Sequence, residues 1–357
     1  MSTVKCVVWD LDNTLFQGIY LESANGGLKA DRQLANALGE LSGRGVLHAI
    51  ASKNPPEAAE YATRLLGRDF AAVRCGWGRK PAAIGEIMTE LGLVAGEVAF
   101  VDDDAMERAE VSFALPDVLV LEPRDVARAL SWPVFSPPVV TDEGRRRGEL
   151  YQQRRIRQDE ARAFGGSPED FLRCCGTRVR IAPAGAGDAA RLHELSVRTH
   201  QFNSSGAVVG ADEFAAMIKP GRHGAQVSQA GRQVIAVRLS DKFGDDGMVG
   251  GLIIAGKRGG SEPEWEVPLL MMSCRAIGRG VIDALLTWVC LAARHAGAGQ
   301  VAVPCVINER NVPLRIALTG AGFRAGGTGP DRIARYARRL DQPLPGLPDW
   351  VTAEGAG

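Results

Sequence analysis

The sequence predicts an α/β protein: a doubly wound parallel sheet followed by a second domain of α+β character. Three observations carry this expectation. Over residues 1–131, short apolar runs alternate with helical stretches, which is the βα rhythm of a parallel sheet. Residues 132–140 (Trp-Pro-Val-Phe-Ser-Pro-Pro-Val-Val) form a proline-rich break of the kind that separates domains. From residue 178 the rhythm changes to longer strands, with a strand–glycine loop–helix unit at 265–296.

In the first domain, apolar runs place strands at 4–9, 46–51, 98–101 and 118–121, with helices at 31–43, 56–66 and 80–92 between them. Pro81 suits a first helical turn, and Gly67 and Gly92 suit helix ends. Residues 132–177 read as a linker with connecting helices. The Arg-, Gln- and Glu-rich helix at 142–163 has the composition of a solvated connector with i,i+4 ion pairs, and a second helix is expected at 168–175. The second domain, 178–340, is expected to hold strands at 178–182, 233–240, 248–256, 265–272 and 300–305, and helices at 187–198, 211–218, 279–296 and 312–320. The stretch 341–357 reads as a flexible tail.

Composition narrows the function classes. The 357 residues suffice for two domains, and 45% hydrophobic with 24% charged residues is ordinary for a soluble globular chain. Lys plus Arg equals Asp plus Glu at 42 each, so no net field argues for nucleic acid. No apolar run reaches the roughly 18 residues of a membrane span. The start, Met-Ser-Thr-Val-Lys-Cys, has no signal-peptide form. Seven cysteines, an odd number without metal-type spacing, suggest a reducing cytoplasm.

The most informative segment is Val7-Val8-Trp9-Asp10-Leu11-Asp12-Asn13-Thr14. Strand alternation would put Asp10 and Asp12 on one side, just past the carboxyl end where α/β sheets keep their sites. Two close carboxylates repel, so both stay ionised only beside a cation, and a hard divalent ion such as Mg2+ is the natural neutraliser. The pair then suits phosphate chemistry: one carboxylate attacks phosphorus while the other handles the leaving group's proton. The ordinary alternative is a polar turn. Three further segments stand where such a site needs them. Ser52, Lys53 and Asn54 end the second strand and could hold phosphate oxygens. Lys80 opens a helix and could place a point charge on phosphate. Asp102, Asp103 and Asp104 follow the strand at 98–101 and could complete a metal site with Asp10. Each has an ordinary alternative: a helix cap for Ser52, a solvated side chain for Lys80, an N-terminal cap run for the aspartates.

Taken in order, these segments resemble the four motifs of the haloacid dehalogenase (HAD) phosphotransferase superfamily. The resemblance implies a HAD-like fold, Asp10 as the nucleophile that forms an aspartyl-phosphate, and Asp12 as the general acid/base. It implies Thr14 and Ser52 as phosphate binders, with Lys53 and Asn54 beside them, and Lys80 as the charge neutraliser. Asp10, Asp12, Asp102 and Asp103 are implied to hold Mg2+. No large cap insertion separates Asp12 from Ser52, so the site is expected to be open to a bulky or protein-tethered substrate.

In the second domain, Ser273-Cys274-Arg275-Ala276-Ile277-Gly278-Arg279-Gly280 lies between a strand and a helix. The spacing of Arg275, Gly278 and Gly280 resembles the pyrophosphate loop of GNAT-type acyltransferases, where backbone N–H groups at a helix N-terminus hold a phosphate. Cys274 opens this loop. A thiol there can have a lowered pKa and become nucleophilic, although a structural cysteine is the commoner fate. Cys6, Cys290 and Cys305 lie in apolar patterns and are expected in the core.

Seven segments together resemble FkbH-type proteins over roughly residues 3–325: Trp9 to Leu15, Ser52-Lys53-Asn54, Trp77 to Lys80, Asp102-Asp103, Arg198 to Asn203, Ser240 to Asp245, and Ser273 to Gly280. That resemblance implies that the enzyme takes D-1,3-bisphosphoglycerate, removes its phosphates and holds a glyceryl thioester. It would then pass glyceryl to the phosphopantetheine thiol of an acyl carrier protein, for polyketide or tetronate assembly. The thioester is assigned to Cys274 as a hypothesis, and Arg275, Gly278 and Gly280 to the phosphopantetheine. In Arg198-Thr199-His200-Gln201-Phe202-Asn203, His200 replaces the family's usual Asn and is either neutral to function or a base near the thiol. Gln201 and Asn203 either bind the glyceryl hydroxyls or satisfy a turn. Asp241 and Asp245 are open between loop structure and function.

Overall fold

The computed structural model describes residues 3–23, 27–137, 139–218, 232–259, 262–329, 331–344 and 346–354. The chain divides into two compact units, 1–156 and 157–357.

In the first unit the parallel strands are β1 (Cys6–Trp9), β2 (Leu47–Ser52), β3 (Ala72–Cys75), β4 (Val98–Val101) and β5 (Leu119–Leu121). They lie in the order β3-β2-β1-β4-β5, all pairs parallel. The intervening helices are α1 (Arg32–Gly43), α2 (Glu57–Leu66), α3 (Lys80–Leu91) and α4 (Ala105–Ala114). Every residue of β1, β2 and β4 is buried, as expected of strands covered by helices on both faces. The expected doubly wound sheet is therefore present. β3 is an additional strand: its Ala-Val-Arg-Cys sequence is too short and too polar to stand out as an apolar run.

α5 (Arg147–Ala163) contains the division between the units. Two expectations are corrected here. The stretch at 132–177 is not a free linker, because Phe135 is buried and the Val134 carbonyl accepts from the Val4 N–H inside the first unit. Nor is the charged helix only a solvated connector, since Leu150, Tyr151 and Arg157 are buried. α6 (Pro168–Cys175) follows, capped by Ser167.

The second unit is built on β6 (Thr177–Pro183), β7 (Arg232–Asp241), β8 (Gly244–Gly259), β9 (Glu262–Met272), β10 (Gln300–Val306), β11 (Arg324–Thr328), β12 (Ile333–Arg339) and β13 (Val351–Glu354). Its helices are α7 (Ala189–Arg198), α8 (Ala211–Met217), α9 (Val281–His295) and α10 (Val312–Gly320). These strands form a mixed sheet of eight in the order β11-β12-β10-β9-β8-β7-β6-β13, the α+β arrangement expected. One buried cluster joins α9 (Leu285, Val289, Ala293) to the sheet (Val237, Leu252, Leu270, Val303). Cys290 and Cys305 are buried here, and Cys6 is buried in the first unit, as expected.

The tail expected to be flexible is instead partly built into the fold, although its residues 345 and 355–357 lie outside the described ones. β13 pairs in parallel with β6, and Asp349 forms an ion pair with Arg173 at 2.9 Å. Val351 and Trp350 pack on the helix α9 end at Gly280, where a Cβ would stand 2.9 Å from Val351 Cγ2. The prolines of 341–348 suggested disorder, but the four residues beyond them find a free sheet edge.

Candidate active site

In the first unit, β1, β2 and β4 are neighbours, so Asp10, Ser52 and Asp102 emerge together from three adjacent carboxyl ends. The strand order reverses between β1 and β4, the position at which open α/β sheets form their crevice. Lys80 enters as the first residue of α3 and is 3% exposed. Its ammonium donates to Asp10 Oδ1 at 2.5 Å, Asp102 Oδ2 at 2.9 Å and the Ala51 carbonyl at 2.9 Å. Those three bonds use all three of its hydrogens.

Asp10, Asp102 and Asp103 each offer an oxygen within 4.8 Å of the others. Three carboxylates against one ammonium leave a formal charge of −2 (−3 + 1) in a pocket where Asp10 and Asp102 are buried. That donor set, all hard oxygen with two charges uncompensated, fits a divalent ion such as Mg2+. Burial pushes the Asp10 carboxyl up to about 6, with Lys80 pulling it down and Asp102 pushing it further up. Burial likewise raises Asp102, partly offset by Lys80. For Lys80, burial disfavours the charged form, but the two carboxylates outweigh it and its pKa is raised.

The loop carrying these aspartates is fastened at several points. Thr14 Oγ1 accepts from the Asp103 N–H at 3.1 Å and donates to Asp103 Oδ1 at 3.3 Å. Asp102 Oδ1 accepts from the Asp104 N–H, and Arg108 donates to the carbonyls of Asp102 and Asp103. Thr14 thus orders the acidic loop. Ser52 is buried and hydrogen-bonds Asp10.

Asp12 stands apart from the acidic group. After Trp9 the chain leaves the strand, and Asn13 takes a left-handed φ of 49°, a conformation Asn tolerates. Strand alternation therefore does not govern where the Asp12 carboxylate points. It accepts from the Tyr20 N–H at 2.9 Å and from Asn54 Nδ2 at 2.9 Å. Of the four aspartates expected at the metal, the structure groups three. Asn54 also donates to Ser52 Oγ at 3.0 Å, so both its N–H groups are spent on site residues. Its buried Oδ1 has no partner among the described residues and can accept from a hydroxyl or water. Lys53 forms an ion pair with Glu107 of α4.

In the second unit, Cys274 is half-buried and opens a short helical turn capped by the Ser273 side chain. The Ser273 N–H donates to the Val249 carbonyl at 2.7 Å. Gly278 and Gly280 adopt left-handed φ of 75° and 76°, which any other residue would adopt only with strain. Gly280 caps α9. Arg275 is buried and donates to the Asp246 carbonyl at 3.3 Å.

β9 and β10 pair only over 264–266 against 300–302 and then diverge. Residues 202–204 fill the gap. Met272 N–H donates to the Phe202 carbonyl at 2.8 Å, and Ser204 N–H to the Leu270 carbonyl at 2.9 Å. Val306 N–H donates to the Ser204 carbonyl at 2.8 Å, and Ser204 Oγ accepts from Leu270 N–H at 2.9 Å. Asn203 is buried, accepts from the Gly206 N–H at 2.8 Å and donates to the Thr199 carbonyl at 3.5 Å. Of the two roles left open for Asn203, its observed bonds are those of the turn. His200 and Gln201 lie half-buried just before this bridge.

Sequence reasoning missed Ser204, which is fully buried at the bridge, the partners Arg157 and Arg279 of Asp241, and Asp246, which shares Arg279 with it. Asp241 accepts from Arg157, Arg279 and the Phe243 N–H. Asp245 accepts from the Gly247 N–H at the hairpin turn, which is a loop-structuring role. The adjacent Asp245-Asp246 pair was the available signal, but sequence alone does not say which of two neighbouring aspartates turns inward.

No family model matches the chain, and no curated protein matches it. Solved structures do. The N-terminal part of a Bacteroides fragilis protein, containing a phosphatase domain and complexed with Mg, is 23% identical, covers 36% of this chain and 39% of its own, with a TM-score of 0.32. The GNAT domain of S. lividans PAT is 18% identical over 44% of this chain and 89% of its own, with a TM-score of 0.34. A putative GNAT-family acetyltransferase from Desulfovibrio desulfuricans is 18% identical over 45% of this chain and 99% of its own, with a TM-score of 0.36. The chain thus spans less than half of the Bacteroides structure. Among the described residues no helix is long and apolar enough to cross a membrane. Strand order and site geometry make this chain a doubly wound parallel sheet, with a group of three aspartates at the carboxyl ends of its strands, followed by a mixed eight-stranded sheet.

Proposed function

We propose that the protein is a two-site enzyme that removes phosphate from D-1,3-bisphosphoglycerate, holds glyceryl as a thioester and passes it to an acyl carrier protein. The grouping of Asp10, Asp102 and Asp103 around Lys80 carries the phosphatase half. The acyl half is supported by a half-buried thiol at the start of a glycine loop.

In the phosphatase half, a carboxylate oxygen of Asp10 attacks the 3-phosphate, an O–P bond forms and the bond from phosphorus to the C3 oxygen breaks. Asp12, held by Asn54 and the Tyr20 N–H, gives the leaving oxygen its proton and later takes one from the water that frees phosphate. Lys80 holds Asp10 in place and faces the anion with its charge. Mg2+, when bound by Asp10, Asp102 and Asp103, supplies the remaining positive charge. In the acyl half, the Cys274 thiolate attacks the C1 acyl carbon; the C–S bond forms and the C–O bond to phosphate breaks, with phosphate leaving on its own electron pair. An acyl phosphate is activated already, so no ATP is required. The phosphopantetheine thiolate of the carrier then attacks the same carbon and Cys274 leaves.

The test is one incubation with 1,3-bisphosphoglycerate, Mg2+ and a phosphopantetheinylated carrier, read by intact mass. A glyceryl adduct on the protein, absent in Cys274→Ala, and glyceryl on the carrier are expected. Phosphate release without any adduct would reduce the activity to a HAD-type phosphatase with a non-catalytic GNAT-like domain. An adduct persisting in Cys274→Ala would place the thioester elsewhere.

A further inference from the structure

The second unit buries a closed ring of charge that the chemistry above does not use. Arg157 forks onto Asp241, with Nε at 2.7 Å from Oδ2 and Nη2 at 3.0 Å from Oδ1. Arg279 Nη2 donates to Asp241 Oδ2 at 2.7 Å and its Nη1 to Asp246 Oδ2 at 2.5 Å. Arg157 Nη2 closes the ring at 3.6 Å from Asp246 Oδ2. All four side chains are 9% exposed or less.

Such a ring costs desolvation, and buried ionic groups are best attested as devices that set register. Its members show what is being held. Asp241 and Asp246 lie on the β7–β8 hairpin, and Arg279 lies between the two left-handed glycines of the loop. Arg275 reaches the carbonyl of Asp246, and Ser273 N–H reaches Val249 further along β8. Cys274 therefore sits between two residues that are both tied to the start of β8. We propose that Asp246 and Asp241 are positioning residues for Cys274, acting through Arg279 on the loop that carries the thiol. This rests on the acyl-transfer reading above.

The experiment compares wild type with Asp246→Asn and Arg279→Lys. The lysine keeps the charge but cannot reach both aspartates with a planar fork. Iodoacetamide labelling of each cysteine is followed by peptide mass spectrometry across pH, alongside formation of the glyceryl adduct. Exposed Cys174 reports reagent reactivity, and buried Cys290 and Cys305 report global unfolding. Freed from its anchors, Cys274 should label about threefold faster or more, with a displaced pH profile, while Cys174 is unchanged and Cys290 and Cys305 stay protected. Adduct formation should fall about tenfold, because the thiol no longer meets the acyl carbon in a fixed geometry. Should the Asn variant unfold, labelling of Cys290 and Cys305 reveals it and the Lys variant decides. A Cys274 labelling profile identical to wild type in a folded variant overturns the proposal. Absence of any adduct in wild type would instead remove the acyl-transfer reading, and the labelling profile would still decide the positioning role.

Discussion

Lys80→Met removes the ammonium that bonds Asp10 and Asp102 and leaves an apolar side chain of similar length. The formal balance among Asp10, Asp102 and Asp103 then moves from −2 to −3. Solvent offers little screening, because the side chains of Lys80 and Asp102 are 4% and 2% exposed. The Ala51 carbonyl also loses its donor. Removing one partner of a buried pair costs about 3–5 kcal/mol, and protonation of one carboxylate relieves part of this. A net loss of about 3 kcal/mol at pH 7 in chelator is expected, a shift of about 1.5 M in urea midpoint at a slope of about 2 kcal/mol/M. Hydrogen exchange of the β1 and β4 amides during the urea titration assigns the loss to the first unit. Mg2+ should restore more stability to the variant than to wild type, since Lys80 no longer competes for the carboxylates. Phosphate release should fall about 10²–10³-fold through lost charge stabilisation. A folded variant whose midpoint moves by less than about 0.5 M would refute the electrostatic account of this pocket.

Three other outcomes follow from the geometry. Asp10→Asn should cut phosphate release by about 10⁴ or more, as loss of a nucleophile does, and lower Mg2+ affinity by calorimetry; near-normal turnover would exclude Asp10 as the attacking group. His48 accepts from Trp9 Nε1 on Nδ1 at 3.1 Å and lies 3.0 Å from Ser42 Oγ on Nε2; burial, then Arg68, holds its pKa down to about 3. The unfolded chain takes that proton near 6.5, so this stability is complete above that pH and is lost as pH falls toward 3; by pH 4.5 the loss is about 3 kcal/mol, and His48→Gln should flatten that limb in urea titrations, an unchanged slope counting against it. Ser204→Ala strips the acceptor from the buried Leu270 N–H and should cost about 1–3 kcal/mol, with faster hydrogen exchange at Leu270 and Val306; unaltered exchange would mean the bridge does not hold the diverging strands together.

Much of the first unit was legible in the sequence. Apolar runs ending in Asp10, Ser52 and Asp102 place strands of a parallel sheet, and the conformational rules for such sheets bring their carboxyl ends together. Lys80 was legible because a lysine opening a helix after a glycine-rich turn has few partners except what lies at the strand ends. For Lys53, whose partner Glu107 is half-buried and lies in another helix, local pattern cannot choose between a ligand and an ion pair. Asp12 was misplaced because a period-of-two argument holds only inside a strand, and the chain turns at Asn13.

The sequence by itself determined the alternation of strand and helix, the residues that arrive at the strand ends and the glycine loop that begins with Cys274. Those features rest on local spacing and backbone preference. Only the tertiary structure decided that Asn54 holds Asp12, that residues 202–204 close the gap between β9 and β10, that Val351–Glu354 completes the sheet, and that Arg157, Asp241, Asp246 and Arg279 form one buried ring. Each of these joins segments far apart in the chain. The free energy that joins them comes from satisfying polar groups taken out of water, and that requirement leaves no periodic trace in the sequence.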